Sequence, residues 1–90
     1  MTESLINNII QSIKQFDFEA AFIDINTLFA SDPNSPKPHL SLGLISELTQ
    51  TQPEAMRHFR AALALDGTDQ VVLYNLYRVG DGSKTPIRYE

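Results

Sequence analysis

The sequence predicts an all-α fold built of antiparallel helix–turn–helix units. Three observations point there. Apolar residues recur at helical spacing through five segments of the chain. Alanine, aspartate and turn-forming residues recur 34 positions apart: Ala21 with Ala55, Ala30 with Ala64, Asp32 with Asp66, and Pro33 with Gly67. A fixed period of that size marks a repeated two-helix unit. The segments are separated by short breaks carrying Asp, Pro, Gly and Ser, the residues that cap helices and form turns.

Thr2 is placed to cap a first helix running to about Gln15, with Leu5, Ile6, Ile9, Ile10 and Ile13 on its apolar face. Asp17 is the cap expected for a second helix from Phe18 to about Ala30, striped by Ala21, Phe22, Ile25, Leu28 and Phe29. Pro33 disfavours helix in the residue before it and closes this element. Ser35 followed by Pro36 reads as a third helix start, because proline at the first helical position has no amide proton to leave unpaired. That helix runs to about Thr49. Thr51 and Glu54 have the spacing of a capping box for a fourth helix, which carries Ala55, Phe59, Ala62 and Leu63 on one face. Gly67 is expected to turn the chain off it in a left-handed conformation. A fifth helix begins after Asp69 and ends before Gly80; Asp81-Gly82-Ser83-Lys84-Thr85-Pro86 is turn and loop chemistry. Ile87 to Glu90 alternates apolar and polar over too short a run to define a strand.

From Pro36 to Gly67 the chain resembles a tetratricopeptide repeat. His39, Leu42-Gly43, Ser46, Ala55, Phe59, Ala62 and Gly67 stand at the signature positions. Gly43 and Ala55 let two helices approach closely, and Phe59 fills the gap beside them. Residues 2–35 resemble a degenerate earlier unit in which Ala21 and Pro33 match, Leu5 takes the large position, and Asn8 and Ile9 replace Leu-Gly. Residues 70–79 resemble the opening helix of a third unit, with Tyr77 where glycine would stand. The resemblance implies a helical domain over residues 1–79, two repeat-like units plus a terminal helix forming a fragment of a right-handed α-solenoid, with a C-terminal tail over 80–90. An unrelated five-helix bundle with the same alanine pattern is the competing reading.

Ninety residues make one domain of modest stability. A hydrophobic fraction of 42% and a charged fraction of 20% are ordinary for a folded soluble chain. A net charge of −4 opposes nucleic acid and anionic lipid, where Lys and Arg supply most of the affinity. The chain has no cysteine, hence neither a disulfide framework nor thiolate chemistry. It shows neither a basic segment leading into an apolar run at its start nor an apolar stretch of about 20 residues. Together these fit a cytoplasmic protein that does not engage a membrane.

No catalytic constellation stands out. His39 and His58 fall on different helices and lack the partner ligands a metal site needs. Asp17, Asp32, Asp66 and Asp69 sit at helix borders, where capping and turn formation explain them. Glu47 and Glu54 have the chemistry of an acid–base pair but no implied pocket. Gly80-Asp81-Gly82 follows a helix instead of opening one, unlike a phosphate loop. Neither an enzyme nor a cofactor or metal is expected. The resemblance implies instead a noncatalytic module that binds a protein or peptide along the first helices of its units. By phase that surface carries Ile6 and Ile10, then Lys37, Leu40 and Leu44, then Val71, Tyr74 and Arg78. Such a groove suits an amphipathic helix or an extended hydrophobic peptide; the same apolar stripe reads equally as core. A subgroup of the family clamps the terminal carboxylate of chaperones with Lys and Asn, and Ile6, Ile10 and Ser41 occupy those places here.

The fifth helix is apolar round most of its circumference and should be covered. Val72, Tyr77 and Val79 are the residues expected to need cover, supplied either by the tail through Ile87 and Tyr89 or by a second copy in a homodimer. The alternative function is accordingly a self-associating structural subunit.

Overall fold

Five helices carry the chain in the computed structural model, which describes residues 2–82 and 85–90: α1 Thr2–Lys14, α2 Phe18–Ser31, α3 Lys37–Thr49, α4 Gln52–Leu65 and α5 Gln70–Gly80. The protein is all-α, with no strand among the described residues. Ser83 and Lys84, in the loop expected after the last helix, lie outside those residues.

Several helix ends have an identifiable local cause. Thr2 is itself helical, so it belongs to α1 and not to its cap. α1 closes through paired reversed bonds, Asp17 N–H to Ser12 O at 2.8 Å and Phe16 N–H to Ile13 O at 3.0 Å. That arrangement requires a left-handed residue, commonly glycine; here Phe16 takes it at φ 59°. Asp17 Oδ1 accepts from Ala20 N–H at 3.2 Å and starts α2 as expected. Ser35 Oγ accepts from Lys37 N–H at 3.2 Å, so the serine serves the start of α3 although Pro36 is the boundary residue.

Three further expectations fail locally. The capping box at Thr51 does not form, because its hydroxyl makes no cap bond and Glu54 turns instead to Arg57 Nη1 at 2.9 Å. Gly67 is not left-handed. The Asp66 carboxylate makes that turn, accepting from Thr68 N–H at 3.0 Å and Thr68 Oγ1 at 2.7 Å. These bonds favour the ionised form and hold its carboxyl below the ordinary range. Finally, α5 includes Gly80, and the left-handed glycine after it is Gly82 at φ 66°. Asp69 Oδ1 accepts from Val71 and Val72 N–H at 3.0 and 3.1 Å, while Oδ2 meets Lys37 Nζ at 3.2 Å. One carboxylate thus ties the starts of α3 and α5 together.

The helix pairs are antiparallel: Thr2 and Leu5 at the start of α1 share a surface recess with Thr27 and Ser31 at the end of α2. Likewise Gln52 at the start of α4 donates its side-chain amide to Val79 O near the end of α5. The 34-residue recurrence is structural as well as sequential. Phe18 and Gln52 open α2 and α4, and Ser31 and Leu65 close them, each 34 positions apart. At the same spacing Ala21 and Ala55, Ile25 and Phe59, and Leu28 and Ala62 are all buried.

α3 is the central element, since one side of it packs on each half of the core. Ile45 joins Ile9, Ile13, Ala21, Ile25 and Leu28, whereas Leu40 and Leu44 join Ala55, Phe59, Ala62, Val71, Val72 and Val79. Burial on several sides explains its small residues. A methyl on Gly43 would stand 2.5 Å from Phe59 Cε1, well inside van der Waals contact, so glycine is required for α3 and α4 to meet. Ser41 satisfies its buried hydroxyl within its own helix, donating to Lys37 O at 2.9 Å.

Candidate protein-interaction surface

The face shared by α1, α3 and α5 is where the expected partner surface falls, and it carries the chain's own tail. Residues 85–90 are non-helical. Tyr74 Oη on α5 donates to Pro86 O at 3.0 Å. Asn75 Nδ2 donates to Arg88 O at 2.8 Å and its Oδ1 accepts from Arg88 N–H at 3.3 Å. Tyr89 packs against both halves of the core, and Lys14 Nζ of α1 lies 5.1 Å from its ring centroid. The tail therefore crosses from α5 toward α1.

Beneath it lies a buried polar network. Asn75 is 0% exposed and donates its second amide hydrogen to Val71 O at 2.9 Å. Its Oδ1 also accepts from Arg78 Nε and Nη2 at 3.3 and 3.2 Å. Arg78 grips Glu47 of α3 with both terminal nitrogens, at 2.7 and 2.5 Å. A buried guanidinium needs such a partner, because leaving it unpaired costs several kcal/mol, on the order of 3–5. Burial and the Glu47 charge push the Tyr89 phenol above its ordinary range, with Arg78 opposing.

Five of the eight residues expected to line an open groove are buried: Ile10, Leu40, Leu44, Val71 and Arg78. Ile6 packs half-buried on the core, Lys37 is half-buried on Asp69, and Tyr74 is exposed. In place of an open apolar groove, that face has an apolar floor, the Glu47–Arg78 pair near the ends of α3 and α5, and a peptide segment on top. Val72 and Val79 are core. Ile87 and Tyr89 do fold back, but onto the Tyr74–Asn75–Arg78 side of α5; Tyr77 stays 65% exposed and uncovered.

Three participants escaped sequence reasoning. Asn75 was a lone amide in an apolar helix, and Lys14 was a helix-end cation. Glu47 has no partner in its local sequence pattern, although Arg78 falls at the repeat phase of Ile10 and Leu44 and so at a core position demanding a counter-charge. The two glutamates each engage an arginine, Arg78 and Arg57.

Elsewhere the described residues hold no group of three or more His, Cys, Asp or Glu placed to bind a metal. His39 packs edge-on against Phe29 at 5.2 Å, with Nδ1 buried and lacking a hydrogen-bond partner. Burial first, then the neighbouring His39, lowers the His58 pKa, while Glu54 opposes. An open cavity of about 380 Å³ lies between α4 and the end of α5, lined by Gln52, Pro53, Met56, Arg57, Arg60 and Gly80. No helix among the described residues is long and apolar enough to cross a membrane. No protein family, no curated protein and no solved structure was found to match the chain.

Proposed function

We propose that this chain is a noncatalytic, tetratricopeptide-like interaction module that receives a peptide segment of another protein across α1, α3 and α5, acting in the cytoplasm. One observation carries the reading. Asn75, held rigid from behind by Val71 and Arg78, bonds both the N–H and the C=O of a single residue in a non-helical segment. Backbone bonding of that kind is blind to side chains and gives a surface affinity for any extended chain of matching register. The 34-residue recurrence of helix ends and buried positions supports the repeat assignment. So does the contact that forbids a side chain at Gly43.

Selection of linear peptides against the full chain, followed by amide-shift mapping, tests the proposal. Bound peptides should move Lys14, Tyr74, Asn75 and Arg78 together. Peptides that move only α2 or α4, or a selection that yields none, would overturn it. The self-associating alternative rests on a separate observation: Phe16, Ile23 and Tyr77 are 66%, 62% and 65% exposed, which is apolar surface that a second copy would cover.

A further inference from the structure

The geometry points to residues 85–90 as a built-in ligand of this surface, and to a partner segment that is extended and carries a branched aliphatic residue followed two positions later by an aromatic. The inference rests on the reading of this face as peptide-binding. Exposure in the tail alternates: Ile87 and Tyr89 are half-buried, whereas Pro86, Arg88 and Glu90 are exposed. That is the two-residue period of a strand, yet no strand lies beside it among the described residues. Side chains of α5 take a neighbouring strand's place, Tyr74 holding Pro86 O and Asn75 holding both polar groups of Arg88.

The two seats differ in chemistry. Ile87 rests on the apolar cluster that includes Leu40, Leu44, Val71 and Val72. Tyr89 bridges both halves of the core under the Lys14 ammonium, which favours a ring over an aliphatic side chain through its attraction to the π face. An amphipathic helix cannot supply this pattern, because its backbone groups are already paired and its side chains do not alternate at period two. The contact is also small. Six residues make far less surface than a stable interface needs, so the tail holds its place largely by tethering, at an effective concentration near the millimolar range. A partner segment of the same pattern competes for the seats and displaces it.

The probe is an acetylated and amidated peptide of sequence Thr-Pro-Ile-Arg-Tyr-Glu, titrated into the isotope-labelled full chain. The hosts are the parent, the double variant Ile87→Ser with Tyr89→Ser, and Tyr74→Phe, which deletes only the bond to Pro86. The peptide should bind the double variant at the Lys14, Tyr74 and Asn75 amides roughly tenfold or more tighter than the parent, since the competitor is gone. Tyr74→Phe supplies a second host if the double variant is poorly folded: the tail amides of Ile87 and Tyr89 should move toward exchange-broadened or random-coil positions there. Replacing the peptide's Tyr by Ala should abolish binding. Equal affinity for parent and double variant, or equal affinity of the Tyr and Ala peptides, overturns the built-in-ligand inference while leaving the peptide-binding reading standing. If selected peptides of any sequence also fail to shift this face in every host, the broader reading falls with it.

Discussion

Replacing Gly43 by alanine places a methyl carbon 2.5 and 2.6 Å from Phe59 Cε1 and Cδ1, and 3.1 Å from Cζ. Carbon atoms pack comfortably at about 3.5–4.0 Å, so the ring must retreat by roughly 1 Å. Phe59 is 0% exposed and is flanked by Ala55 and Ala62, also 0%, which leaves it no slack. Overpacking of this kind costs about 1–3 kcal/mol. Alanine in a helix interior recovers about 1 kcal/mol relative to glycine. The net expectation is a loss of roughly 0–2 kcal/mol, a substantial part of the stability of a small domain. Phe59→Leu alone should lose less than the roughly 3–5 kcal/mol of full truncation. Combined, the two changes should compensate, because the methyl enters space the ring has vacated. Urea unfolding at an unchanged m-value measures all four corners of the cycle. The double variant should be about 1–2 kcal/mol more stable than the sum of the single losses. Additivity within about 0.5 kcal/mol, or a Gly43→Ala chain that gains its full helix-propensity benefit, would refute close approach of α3 and α4 at Gly43.

Arg78→Met leaves Glu47 facing a partly buried site without its partner and should cost about 3–5 kcal/mol by chemical denaturation; Arg57→Met, from an exposed pair, should cost under about 1 kcal/mol. Equal effects would mean that the buried Arg78–Glu47 pair holds α3 and α5 together no better than an exposed one. Phe16→Gly relieves a left-handed phenylalanine whose ring is exposed and should raise stability by up to about 1 kcal/mol, read as a higher denaturation midpoint. A lower midpoint would mean that its edge contact with Phe18 matters more than the backbone strain. His58 has a lowered pKa in the folded state, so as pH falls the unfolded chain takes up its proton first. Stability should therefore be full above about 6.5 and decline as pH drops through that value toward the folded one. His58→Gln should flatten the decline, and an unchanged slope would assign it to other groups.

The helices were legible because each is marked twice, by an apolar stripe and by a boundary residue. Asp17 and Asp69 act as the caps their positions implied. Gly43 and Phe59 were legible as a pair because only close helix contact explains a glycine inside an apolar helix. The misread ends share a cause. At Thr51 and Gly67 the sequence offers two means of ending or starting a helix, and a competing side chain won: Arg57 captured Glu54, and Asp66 captured Thr68. The surface was misread for a longer-range reason. Apolar periodicity reports that Ile10, Leu40, Leu44 and Val71 face something, but it cannot separate an absent partner from a chain segment distant in sequence. Asn75 and Arg78 were the available clue, since polar groups at core phase need partners. The donors and acceptors that answer them come from α3 and from residue 88, which local pattern does not connect.

Occupancy of the face formed by α1, α3 and α5 by residues 85–90 in solution is the decisive property. Amide hydrogen exchange at Arg88, measured together with ring-to-side-chain proximity between Tyr89 and Lys14 by NMR, reads this directly. Seating by Asn75 predicts an Arg88 amide protected well beyond a random coil and a Tyr89 ring in magnetic contact with Lys14. An Arg88 amide exchanging at the unfolded rate, with Tyr89 free of contact with α1, would contradict it.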